Sequence, residues 1–353
     1  MLHGCKILAV MARSSTTYTP IWQSGETTVI RVPRVLVGDV LRHARKLDTL
    51  SESNSGTSLF QNGEKLKELR RSKPVNVATV PLRSPFRYPG GKTWLIPYVR
   101  AWLEGLARQD LFIEPFAGGA IASLTVSFED RAEHVIMAET DEYVAAVWRT
   151  ILLGQAEWLA EKILQFDVTV ENVKKALIRS NEARLTQKER AFLTILRNRV
   201  QRGGIMAPGA GLVKASEKNK GIKSRWYPET LARRIRDIAD HRDKITFYHG
   251  DGFDLMEDYL RERKAAFFID PPYTVTSRRL YNQWEFDHER LFRLVKKLKG
   301  YFLITYDDTE EIRELAHSFG IAFRAVKMKN THHARKTELI IGRDFKWFDA
   351  IAE

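Results

Sequence analysis

At 353 residues, with 44% apolar and 29% charged residues, the chain has material for one large globular domain or two modest ones. Its formal charge of +13 favours a polyanionic partner, because clustered Lys and Arg release counterions when they meet phosphates. A single cysteine, Cys5, excludes an intrachain disulfide and a cysteine-based zinc site, and no apolar run reaches the length of a membrane span. The apolar run 7–12 is too short for the core of a signal peptide, so a cytoplasmic chain is expected.

Residues 1–80 read as an N-terminal extension rich in Ser, Thr, Asn and basic residues, with "SESNSGTS" (51–58) as a flexible linker. Within it, Thr28, Ile30 and Val32 alternate as a short strand does, and Leu36, Val40, Leu41 and Leu47 recur at helical spacing. A strand followed by a helix at 27–48 matches half of a ribbon-helix-helix DNA-binding element. The alternative is a tail with a transient helix, since no second helix follows.

From Leu82 onward strands alternate with helices. "DLFIEPFAGGA" (110–120) reads as a strand and a Gly-rich turn, followed by "IASLTVSF" as the next helix or packed segment. "HVIMAETD" (134–141), "KITFYHGDG" (244–252), "AAFFIDPPY" (265–273) and "GYFLITYDD" (300–308) are further strands, and 323–328 and 337–342 close the set. Between them lie helices such as 287–300, with Leu291, Leu294, Val295 and Leu298 on one face. Apolar strands alternating with amphipathic helices predict an α/β fold: a mostly parallel sheet with helices on both faces.

Residues 155–240 break the rhythm. They are mainly helical, and the Gly/Pro-rich "RNRVQRGGIMAPGAG" (197–211) lies within them. From Arg197 to Arg236 eleven Lys and Arg face only Glu217 and Glu229, a local charge of +9. This reads as an insertion at the sheet's carboxyl rim, where ligands bind in such folds, with a nucleic acid as its partner.

That rim also collects acids and glycines. Gly118 and Gly119 let a ligand approach the backbone, and Glu139 and Asp141 sit where nucleotide-binding folds accept from ribose hydroxyls. Asp251 and Gly252 join them, although each of these on its own also fits ordinary turn chemistry. The turn is not G-x-G-x-x-G, which favours a nucleoside ligand over a dinucleotide. The most informative stretch is Asp270-Pro271-Pro272-Tyr273, where a buried strand stops on an acid and two prolines.

Four segments in this order, "FRYPGGKTWLIPYV" (86–99), "FIEPFAGGA" (112–120), "IDPPYT" (269–274) and "ARKTELIIG" (334–342), resemble the Dam-type, alpha-class DNA adenine methyltransferases. The resemblance covers about residues 83–345. It implies a Rossmann-like methyltransferase sheet formed by 83–154 and 241–345, with 155–240 as an inserted target-recognition domain. It implies site-specific transfer of methyl from S-adenosylmethionine to adenine N6 in double-stranded DNA, with the base flipped out. No metal is required, no membrane is involved, and a companion restriction endonuclease is a partner such enzymes have.

Carried over residue by residue, the resemblance puts Tyr88, Lys92, Phe116, Ala117, Gly118, Gly119, Glu139, Asp251, Gly252 and Asp270 at the cofactor. Glu139 departs from the family, where an Asp is common, and Ala120 stands where many members have a third glycine. Asp270 and Pro271 would accept hydrogen bonds from the target amine, Pro272 would stiffen the turn, and Tyr273 would stack on the base. Arg197, Arg199, Arg202, Lys223, Arg225, Arg335 and Lys336 are the DNA-binding candidates. The adjacent His332 and His333 belong to a loop or to the DNA face. The competing readings are methylation of another amine (cytosine N4, an RNA base or a glutamine side chain) and a DNA-binding regulator built on a decayed methylase body. Asp at position 270 favours adenine, and intact Lys92 and glycines argue against decay.

Overall fold

In the computed structural model, residues 77–352 are described, apart from 88–90, 180–183, 205, 207–209, 215–220, 273–285 and 330–334. The strand-helix element expected at 27–48, Tyr88, Tyr273 and the pair His332-His333 lie outside the described residues.

Each apolar run that the sequence marks as a strand is one. The chain enters through a short 3-10 turn, Lys92–Leu95, into helix α1 (Ile96–Glu104), then β1 (Gln109–Glu114) and α2 (Ile121–Phe128). β2 (Ala132–Glu139) leads into α3 (Glu142–Thr150), and four helices follow: α4 (Ala156–Gln165), α5 (Val170–Arg179), α6 (Gln187–Val200) and α7 (Pro228–Asp240). The sheet resumes with β3 (Ile245–His249), α8 (Gly252–Asp258), β4 (Ala265–Ile269), α9 (His288–Lys297), β5 (Tyr301–Asp307) and α10 (Glu310–Ser318). β6 (Ala322–Lys329), β7 (Arg335–Gly342) and α11 (Lys346–Ala352) end it.

The seven strands form one sheet in the order β3-β2-β1-β4-β5-β7-β6. The first five run parallel, and β7 is antiparallel to both β5 and β6. β4 lies between β1 and β5 and all five of its residues are buried, which is why "AAFFI" is continuously apolar. The strand order reverses between β1 and β4, so their carboxyl ends flank the crevice where such sheets bind ligands.

Two-residue periodicity divides the core. Phe112, Met137, Ala266, Phe268 and Leu303 pack to one face with α1 to α7, whereas Ile113, Ile136, Phe267, Ile269 and Ile304 pack to the other with α8, α9 and α10. The insertion belongs to the first face. Leu159 and Ile163 of α4, Ile195 and Leu196 of α6, and Leu231 and Ile235 of α7 share a core with Trp148 and Leu124. Among the described residues, no helix is long and apolar enough to cross a membrane.

Candidate active site

The turn after β1 is built by backbone geometry. Gly118 (φ 47°) and Ala120 (φ 50°) both adopt the left-handed conformation, which costs a non-glycine residue about 1 kcal/mol. The turn is fastened to β2 by Ala117 N donating to Ala138 O at 2.9 Å, and to α3 by Trp148 Nε1 donating to Gly118 O at 2.9 Å. Glu139, at the end of β2, accepts from Gly118 N at 3.0 Å and from Asp141 N at 2.9 Å. Burial, only partly offset by the backbone donors, pushes its carboxyl up to about 7.

The acids beside Glu139 have capping roles. Asp141 accepts from Tyr143 N and Val144 N at the start of α3, and Asp251 accepts from Phe253 N at the start of α8. Gly252 is fixed by space: a Cβ there would lie 2.4 Å from Pro115 O and 2.7 Å from the Phe116 ring. Phe116, Phe253 and Phe286 form an aromatic wall next to it, with ring centroids 5.2–5.8 Å apart.

Asp270 stands one residue past β4, half-buried, and its Oδ1 accepts from Thr305 Oγ1 of β5 at 2.8 Å. Lys92 Nζ lies 3.2 Å from the same oxygen and 3.2 Å from Glu338 Oε2 of β7. Lys92 is 4% and Glu338 3% exposed. Burial works against the Lys92 charge, but Asp270 and Glu338 outweigh it and raise the ammonium's pKa. Burial, outweighing Lys92 and reinforced by Asp270, pushes Glu338 up to about 7. A further acid, Glu114, ends β1 fully enclosed, accepts from Ser123 N at 2.8 Å, and is driven by burial to about 8. Burial first, then nearby Asp270, raises the Tyr306 phenol well above its ordinary value, and its hydroxyl shares a hydrogen bond with His288 Nδ1 at 2.7 Å.

The structure therefore gathers Lys92, Asp270, Phe116, Ala117, Gly118, Gly119, Glu139, Asp251 and Gly252 on the carboxyl rim. Glu338 and Glu114 escaped the sequence reading. Their signal is the one that marked Asp270: an acid at or within a run of buried apolar strand residues.

The basic insertion divides into outward and inward cations. Arg202 and Lys223 are exposed, Arg225 is half-buried, and Arg197 lies over the Tyr143 ring at 5.8 Å. Arg335 and Lys336 open β7, opposite Lys329 and Met328. Arg199, a sequence candidate for DNA contact, is 5% exposed and donates to the Pro85 carbonyl, so it is not available to a phosphate. Arg234 likewise donates to Ser84 O at 3.1 Å. Asn198 brackets Arg87, accepting from its N–H and donating to its carbonyl, both at 2.8 Å. Gly204 (φ +77°) completes the clamp, because a Cβ there would lie 2.5 Å from Arg87 O. Segment 84–87, which leads toward Lys92, is thus held by the insertion.

A parallel-sheet core with an antiparallel seventh strand and a left-handed turn after β1 is the Rossmann-like methyltransferase fold, here with an acid-Pro-Pro exit from β4. The match that narrows this is to the D12 class N6 adenine-specific DNA methyltransferases, over residues 88–330. The chain belongs to that family and is an adenine-specific methyltransferase. No curated protein matches the chain. Among solved structures, the M1A22 tRNA methyltransferase TrmK of B. subtilis is similar at a TM-score of 0.31 and 10% identity, over 69% of this chain and 64% of that one. A putative RNA methyltransferase from Pyrococcus horikoshii, PH1948, gives 0.32 and 10%, over 79% and 96%. TrmK of M. capricolum, solved with S-adenosylhomocysteine, gives 0.31 and 8%, over 70% and 68%. Likenesses this distant do not bear on the substrate.

Proposed function

We propose that the protein methylates N6 of an adenine flipped out of double-stranded DNA, at a specific sequence, with S-adenosylmethionine as donor. The observation that carries this reading is Asp270, a carboxylate fixed from behind by Thr305 and Lys92 and followed by two prolines. Adenine N6 is a weak nucleophile because its lone pair is delocalised into the ring. Asp270 and the Pro271 carbonyl accept from the amino hydrogens and draw the lone pair out of conjugation. This is preorganised electrostatics with positioning, and no covalent intermediate is needed. Pro272 limits relaxation of the turn, and Tyr273 stacks on the extruded base.

S-adenosylmethionine, when bound, supplies an electrophilic methyl group. The rim fits it: Glu139 is an acceptor oriented by two backbone donors, and Gly252, lacking a Cβ, lets the start of α8 close against Pro115 O and the Phe116 ring. Tyr88, Lys92, Phe116 to Gly119, Asp251 and Asp270 complete the cofactor set. Arg197, Arg202, Lys223, Arg225, Arg335 and Lys336 contact DNA, with 155–240 as the target-recognition domain and 83–154 with 241–345 as the catalytic body. The setting is cytoplasmic, and a cognate restriction endonuclease is a candidate partner.

Incubation with methyl-labelled S-adenosylmethionine and unmethylated DNA, followed by nucleoside analysis, tests the reading. Label in N6-methyladenine that disappears in Asp270→Ala, with the fold retained by circular dichroism, supports it. Label in N4-methylcytosine, label in RNA alone, or equal incorporation by the variant overturns it.

A further inference from the structure

The reading above assigns Asp270 to the substrate amine and leaves a buried acid behind it. Glu338 lies on β7, opposite Asp307 of β5 and Val326 of β6, and is 3% exposed. It is too enclosed to meet DNA. It forms an ion pair with Lys92, whose ammonium lies 3.2 Å from Glu338 and 3.2 Å from Asp270. The three groups form a chain from the sealed interior to the open rim, where the Asp270 side chain is 25% exposed.

We propose that Glu338 is a positioning residue that shares the Lys92 ammonium with Asp270 and so keeps the Asp270 carboxylate a strong acceptor for the substrate amine. The inference rests on the functional reading given above.

Its physical basis is charge arithmetic at close range. A buried Lys facing Asp270 alone would form a neutral pair. Its donors, with the Thr305 hydroxyl, would draw electron density from the oxygens that the amine needs. A second carboxylate divides those donors and leaves the trio with one net negative charge. That charge favours a transition state in which positive charge builds on the amine nitrogen. The charged groups acting on Glu338 are Lys92 from the entry turn, Asp270 from the β4 exit and Asp307 from β5, while its β6 neighbour is Val326. Burial and the two acids place its titration at about 7, so its charge changes in the neutral range. Below that point a protonated Glu338 surrenders Lys92 to Asp270.

The test is kcat against pH at saturating cofactor for wild type and Glu338→Gln, with cofactor affinity measured by calorimetry. Saturation separates Glu338 from Glu139, which titrates in the same range but serves the cofactor. We expect wild-type kcat to climb as pH rises through about 7. The variant should show a flat profile lowered on the order of 10-fold to 100-fold, as for partners one contact removed from a reacting site, with cofactor affinity unchanged. A variant that keeps the wild-type rate and step, or that loses cofactor affinity at unchanged kcat, overturns the proposal. Should the variant not fold, the wild-type profile decides, because a kcat without the step overturns it equally. A wild-type enzyme that labels no adenine, or an active Asp270→Ala, overturns the underlying reading instead.

Discussion

Lys92 on the rim and Arg199 in the insertion are nearly equally buried, at 4% and 5% exposure, yet they occupy opposite electrostatic settings. Lys92 lies between two carboxylates, and its pKa rises despite burial. Arg199 donates to a neutral carbonyl, and burial, then the charges of Arg234 and Arg87, pulls its pKa down to about 9. It still carries its charge at neutral pH. A buried cation that neutralises acids holds a charge system together, whereas one that meets a carbonyl serves as a long, planar donor. The first joins two acids of the candidate site, and the second ties the insertion to segment 84–87.

The strongest way to break this contrast is Lys92→Met. Asp270 and Glu338 would then face each other without a cation, so the fold should lose about 3–5 kcal/mol in denaturant titration. Methyl transfer should fall by about 100-fold or more.

Next in size is Glu114→Gln. Its carboxyl has a folded pKa near 8, raised by burial from the usual 4.5. A raised pKa contributes stability fully below the unfolded value and loses it as pH climbs through the folded one. Wild-type stability should therefore decline between about pH 4.5 and 8, with Glu139 and Glu338 adding to the decline. Gln can still accept from Ser123 N, so the variant's thermal unfolding should show a shallower decline. At pH 9, where the wild-type carboxylate is ionised, the variant should be the more stable of the two in the same measurement.

Gly204→Ala probes the architectural side. The added Cβ meets the Arg87 carbonyl at 2.5 Å in a left-handed backbone, and about 1–3 kcal/mol should be lost. Cofactor affinity by calorimetry should weaken with it, since segment 84–87 leads to the Lys92 turn. The smallest effect belongs to Arg199→Met. Removing a buried charge offsets the lost bond to Pro85, so stability should stay within about 1 kcal/mol of wild type. A large loss there would erase the distinction between the two cations.

These settings differ in how far the sequence reveals them. Six of the strands were legible as apolar runs that end in Gly, Pro or acid and β6 as an alternation of apolar and basic residues, and Asp270 was legible because two prolines follow it. The Lys92 bridge was not, since local periodicity says nothing about partners 178 and 246 residues away. The cluster of basic residues misled at Arg199, because a charge count carries no direction. Helical spacing did carry it: Arg199 lies four residues after Ile195 and seven after Phe192, on the buried face of α6. Asp141 and Asp251 belong to both readings, since an acid that caps a helix and an acid beside a ligand occupy the same end of a strand.

The clamp on residues 84–87 bears on how members of this family can be recombined. Exchanging 155–240 alone would separate Asn198, Arg199 and Arg234 from the backbone groups they hold, and would divide a core that runs from Leu231 to Trp148. A chimera that keeps its activity must move the 84–87 strip together with the insertion. The two stretches are distant in sequence but form one heritable block.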